Sequence, residues 1–278
     1  MKYFLAGGAL ACAAVSWCFQ PVAAWAQDLQ NSKIEIAYEE PKKADHDPIY
    51  ERLKKREVLE QLRQFLSPLR LPKKLTIHTL ECGVVNAFYA RGDGLKLCYE
   101  YFHDLENRIA QAQMPPGYER ADALVGGFLG VTFHELGHAV FDILNAPVFG
   151  REEDAADQMA GFVLQQFGPK VARRMITGTA YMWLSRQGDW PRSAFSDEHG
   201  TDLQRHYNFL CLGYGGPNSA MFQDFVDQGA LPKERAGNCA HEYQQVRNAF
   251  RRTVLPFVDV ELMKKVQATE WLRPDDFK

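Results

Sequence analysis

The sequence predicts an α+β fold. Three observations carry that reading. Strand-like runs are confined to residues 75–102, one amphipathic helix precedes them, and from residue 119 onward the apolar spacing is helical. Strands grouped first and helices afterwards argue for segregated layers rather than alternating βα units.

The chain of 278 residues opens "MKYFLAGGALACAAVSWCFQPVAAWAQ", with Lys2 the only charge before Asp28 and small residues at Ala24 and Ala26. This reads as a signal peptide over residues 1–26, cleaved after Ala26, and it directs the chain to the periplasm or beyond. Gly7, Gly8, Ser16, Gln20 and Pro21 interrupt the apolar run, so no membrane anchor is expected after cleavage. Residues 27–46 are polar and patternless, a linker. The remainder, 47–278, can bury a single core, with an N-terminal lobe of about 47–145 and a helical C-terminal lobe of about 146–278.

Asp47-Pro48 pairs a capping carboxylate with a first-turn proline. The helix it starts carries Ile49, Leu53, Val58, Leu62 and Phe65 on one stripe and stops at Pro68. "LTIHTLECG", "VVNAFYA" and "GLKLCYEYF" then read as short strands, the last two joined by the turn signal "RGDG". A long helix over about 119–144 is ended by Pro147 and Gly150, and another runs from Arg151 to Phe167. "KVARRMITGTAYMWLSR", "DLQRHYNFLCLG", "NSAMFQDFVDQG" and "AHEYQQVRNAFRRTV" read as further helices.

Lys and Arg number 32 against 35 Asp and Glu, a net charge of −3 without a basic run, which argues against a nucleic-acid partner. Of six cysteines, four follow the leader: Cys82, Cys98, Cys211 and Cys239. An even number in an exported chain reads as two disulfides, with sequence neighbours pairing, Cys82–Cys98 and Cys211–Cys239. A four-thiolate zinc site is the rival, and no Cys-x-x-Cys supports it.

The chemistry concentrates in "FHELGHAVFD". His134 and His138 lie one helical turn apart on one face, able to aim two ring nitrogens at an ion about 2.0–2.1 Å away. Glu135, offset around the helix, can reach a water there and act as general base. The flank "ALVGGFLGVTF" is uncharged, so the helix is expected to be buried, and buried imidazoles and carboxylate need partners. Gly126, Gly127, Gly130 and Gly137 weaken a helix and imply a close-packed neighbour. The third ligand is expected from "GREEDAADQMAG". Glu153 is the first choice, with Asp157 one turn on accepting a ligand ring N–H. Glu152 and Asp154 remain alternatives, since the macrodipole favours any acid in a first turn.

"HELGH" followed by "EDAADQMAG" resembles the glutamate-zincins, which carry HExxH and a downstream ExxxD. The closer likeness is to a bacterial family of secreted metallopeptidases related to the heat-shock and prenyl-protein zinc metalloproteases. Glu153, Ala156, Asp157, Ala160 and Gly161 all match that second motif. The resemblance implies a gluzincin-like (minigluzincin) fold, with a small N-terminal sheet whose edge strand packs on the zinc helix. It also implies a Zn2+ cofactor and a peptide or protein substrate. Such enzymes set an Asn-Ala on the edge strand to pair with substrate, for which Asn86-Ala87 stands here. They carry a late histidine with an arginine six residues on, matched by His199 and Arg205, although Gly200 replaces the usual proline. His199 is then the expected oxyanion stabiliser, with Tyr207, Tyr214 and His206 as alternatives, and Arg205 is expected to pair with an acid. A metalloprotease-derived binding or structural module without turnover is the competing reading.

Overall fold

The computed structural model describes residues 33–186 and 195–269. The expected signal peptide, residues 1–26, lies outside the described residues. Four strands form one mixed sheet: β1 (Ile34–Tyr38), β2 (Leu75–Leu80), β3 (Ala87–Ala90) and β4 (Gly94–Cys98), in the order β1-β2-β4-β3. β1 with β2 and β2 with β4 are parallel, whereas β3 and β4 form the antiparallel hairpin signalled by "RGDG". β3 is therefore an edge strand.

Residues 27–46 are not a linker throughout, because β1 falls inside them. Its "IEIAY" alternates apolar residues, Ile34 is buried beside Leu75, and the Tyr38 hydroxyl accepts from Leu59 N (2.9 Å) and donates to Glu60 (2.7 Å). The helix expected over 48–66 is two helices, α1 (Asp47–Lys55) and α2 (Val58–Leu66), divided at Glu57, whose φ of +50° is left-handed. Continuing the stripe of Leu53 straight on would turn Glu57 and Glu60 inward. The break resets the register so that Leu59, Leu62 and Leu66 face the core instead.

The run "GLKLCYEYF" is likewise strand only to Cys98. Helix α3 (Tyr99–Gln111) takes over there, because Tyr99, Phe102, Leu105 and Ile109 recur at helical spacing and are buried together. The helical part continues with α4 (Arg120–Leu144), α5 (Glu152–Leu164), α6 (Pro169–Leu184), α7 (Asp202–Gly215), α8 (Gln223–Asp227), α9 (Lys233–Thr253) and α10 (Val260–Gln267). The last of these begins on Asp259, whose carboxylate caps Leu262 N.

Helix α4 is the axis of the molecule. It is long and apolar enough to cross a membrane, yet it lies mostly buried inside the protein. Two close approaches fix its neighbours. A Cβ on Gly178 would stand 1.8 Å from Asp122 O, and one on Gly126 would stand 2.6 Å from Met175 O, so α6 can meet α4 only through these glycines. On another face a Cβ on Gly137 would come within 3.0 Å of Ala156 Cα. Gly137 lies between His134 and His138, and Ala156 lies between Glu153 and Asp157. The same approach that packs α5 on α4 therefore sets two acids opposite two imidazoles. Disulfides join Cys82 to Cys98 and Cys211 to Cys239, the neighbour pairing expected from sequence.

Candidate metal centre

From one turn of α4, His134 Nε2 and His138 Nε2 approach each other to 3.3 Å. From the first turn of α5, Glu153 Oε2 reaches to 3.0 Å from the first and 3.3 Å from the second. His199, just before α7, brings its Nε2 to 2.9 Å from the same oxygen. The ligand atoms of His134, Glu153 and His199 all lie within 4.8 Å of one another. His138 joins them through its contacts with His134 and Glu153.

The far nitrogens of the three rings are equally ordered. His134 Nδ1 faces Asp157 Oδ1 (2.9 Å), His138 Nδ1 faces Glu152 Oε1 (2.8 Å), and His199 Nδ1 faces Asp197 Oδ1 (2.9 Å). A carboxylate only accepts, so each Nδ1 is the N–H and, in a neutral ring, each Nε2 turns a lone pair toward Glu153. Glu153 Oε2 is buried, and no donor is aligned on it. Lone pairs gathered around a buried anionic oxygen repel unless a cation stands among them. Four-coordinate zinc at the usual bond lengths holds its ligand atoms about 3.3 Å apart. His134, His138 and Glu153 show separations of 3.0–3.3 Å, so the donors present suit such an ion.

The charges respond to this crowding. Burial alone would keep His134 neutral, but Asp157 and Glu153 outweigh it and raise the ring to about 9. His138 is raised against burial by Glu153 and Glu152, and His199 is raised by Glu153 and then Asp197. Burial opposes ionisation of Glu153, yet the three imidazoles hold its carboxyl far below the usual range. Burial also opposes ionisation of Asp157, which the Arg205 guanidinium and His134 nevertheless bring down to about 2. Arg205 grips Asp157 with two hydrogen bonds of 2.6 Å, and its guanidinium lies over the Trp183 ring at 3.5 Å. All of this pair is buried.

Glu135 stands apart from the convergence. Its Oε1 is 3.9 Å from His134 Nε2, while Oε2 accepts from the backbone N–H of Tyr89 (2.8 Å), and burial pushes the carboxyl up. A cleft of ≈ 370 Å³ opens over the centre, walled by Asn86 to Tyr89 on one side and by Glu152, Glu153 and His199 on the other. Since Tyr89 N–H points to Glu135, it points away from β4. Backbone groups alternate along a strand, so those of Ala87 face the cleft too. Asn86 precedes the strand and is exposed. A larger, mainly apolar hollow of ≈ 690 Å³ between α1, α2, α3 and the start of α4 carries none of these histidines. Size therefore does not mark the chemistry here.

The other sequence candidates do not join the convergence on Glu153. Glu152 is spent on His138 Nδ1, and Asp154 pairs with Arg151 (2.7 Å). His206 is buried against Ala180 O (2.9 Å), Tyr214 bonds Gln223, and Tyr207 packs on the core; none of the three walls the cleft. The four cysteines are consumed in disulfides, which removes the thiolate zinc site. Sequence reasoning missed Tyr89, Arg91 and Asp142 in the cleft and Asp197 behind His199. Asp142 was open to detection, since it falls two turns after Glu135 on the same helix face.

An α+β fold with an imidazole–carboxylate centre beneath an open strand edge defines a metal-site hydrolase class. A family model described as "Putative metallopeptidase" matches residues 38–254, and the chain belongs to that family. It is thus a metallopeptidase by family, with a metal cofactor implied. No curated protein and no solved structure matches the chain.

Proposed function

We propose that this is an exported, zinc-dependent peptidase of gluzincin-like fold that hydrolyses peptide bonds in extended substrates. The observation that carries the reading is the set of three imidazoles, each held at Nδ1 by a carboxylate and turned at Nε2 toward Glu153 Oε2. His134, His138 and Glu153 would hold the ion, and Asp157, fixed by Arg205, would lock the tautomer of His134. Zinc at this position supplies Lewis acidity toward water and carbonyl.

The remaining work falls to the chain. An extended peptide pairs with the free edge of β3 at Ala87, which lays its scissile bond beside the centre. Glu135, with one oxygen anchored on Tyr89 N–H, takes a proton from the attacking water and returns it to the leaving amine. His199 Nε2, 2.9 Å from Glu153 Oε2, would donate to a developing oxyanion in the protonated ring, the form that Glu153 and Asp197 favour.

The test is cleavage of casein or a peptide library by the mature, disulfide-bonded form. Activity should vanish with a chelator, and Glu135→Gln should lower kcat by about 10²–10⁴ while keeping the metal. Full activity in that variant removes Glu135 from its role. The 2.9 Å approach of His199 to Glu153 favours a second reading, in which His199 is a fourth ligand and the chain is a silent binding module. His199→Ala separates the two. An oxyanion donor lost leaves zinc bound and slows turnover, whereas a ligand lost weakens zinc.

A further inference from the structure

Two hydrogen bonds and one ion pair tie the β3 hairpin to α4. Tyr89 N–H donates to Glu135 Oε2 (2.8 Å), Tyr89 Oη donates to Asp142 Oδ2 (2.8 Å), and Arg91 Nε pairs with Asp142 Oδ1 (2.9 Å). Glu135 and Asp142 are seven residues apart, two turns along one helix face, so both can grip one short strand. Both oxygens of Asp142 are used, and both partners come from β3 or its turn.

We infer that Asp142 is a positioning residue: through Tyr89 and Arg91 it pins the edge strand to the helix bearing the imidazoles, and so fixes the Glu135 carboxylate. The inference rests on the peptidase reading for its consequence, though not for its geometry. Tyr89 withholds its N–H from substrate and gives it to the base. Pairing with an incoming strand is left to Ala87, whose backbone is free of this arrangement. Strand and base therefore move as one body, and the distance between a bound peptide and the carboxylate is set by the Tyr89–Asp142 bond.

The consequence is a split between kinetic constants. Tyr89→Phe and Asp142→Ala should each lower kcat about tenfold, since misplacement of a reacting group by a fraction of an ångström costs that much, and leave KM within about twofold. Asp142→Asn, which keeps one acceptor, should recover part of the loss. Arg91 is largely exposed, so Arg91→Ala should have the smaller effect. A measurement independent of turnover accompanies these. In the full mature chain, hydrogen exchange at the Tyr89 amide should speed up about tenfold or more in Tyr89→Phe and in Asp142→Ala, with the metal content unchanged. Tyr89→Phe serves if Asp142→Ala does not fold. Unchanged exchange at Tyr89, or kcat retained within twofold in both variants, overturns the inference. If the wild type cleaves no peptide, the peptidase reading falls, and the exchange experiment still decides this one.

Discussion

Glu153 Oε2 collects three imidazole nitrogens within 3.3 Å, and in the metal-free protein only protons can relieve that crowding. His134 keeps its proton up to about 9, despite burial, because Asp157 and Glu153 favour the charged ring. A metal must displace that proton, so metal affinity should already weaken as pH falls through about 9, well above the 6.5 or so of a free imidazole. Zinc titration calorimetry at pH 7.5 in buffers of different ionisation enthalpy should report release of at least one proton. No net release would show the rings already neutral. The histidines and Glu153 were legible in the sequence because i, i+4 spacing is local geometry. The pairing of Tyr89 with Asp142 was not, since the two are 53 residues apart and meet only once a sheet edge is laid on a helix.

Helices α5 and α7 are joined by the buried Asp157–Arg205 pair, backed by Trp183 from α6. Removing one member of such a pair leaves the other charged and dry. Arg205→Met should therefore cost about 3–5 kcal/mol of stability, measured by urea unfolding. A loss below 1 kcal/mol would mean water reaches Asp157. Glycines test the helix contacts more finely. Gly178→Ala drives a methyl into Asp122 O and should destabilise by about 1–3 kcal/mol or more. Gly237, in the second turn of α9 with open space around it, should instead gain about 0.5–1 kcal/mol as alanine. Thermal melts of the two variants moving in the same direction would contradict this packing. The close approach of helices was readable from the glycines of α4, whereas the break at Glu57 and the start of α3 were not. At Glu57 the core outside the segment chose the register, and at Tyr99 the aromatic residues suit a strand as well as a helix.

In the molecule as a whole, the β3 edge of the sheet borders the cleft, and the helical part brings the histidines and Glu153 to it from α4, α5 and the turn before α7. Strand grouping and helical periodicity foretold this α+β division, but a short β1 hidden in a polar stretch escaped notice. The parallel pairing of β1, β2 and β4 depends on contacts no local pattern encodes. Two disulfides accord with the proposed export, and each restrains the unfolded chain by about 3 kcal/mol. The proposed function turns on two imidazoles of α4 and one carboxylate of α5 closing on a single ion. Elemental analysis of the purified mature protein beside Glu153→Ala and His138→Ala addresses that. One zinc per chain in the wild type and loss of it in both variants is the predicted result; a wild type that binds no metal when zinc is supplied, or variants that hold it as tightly, would contradict it.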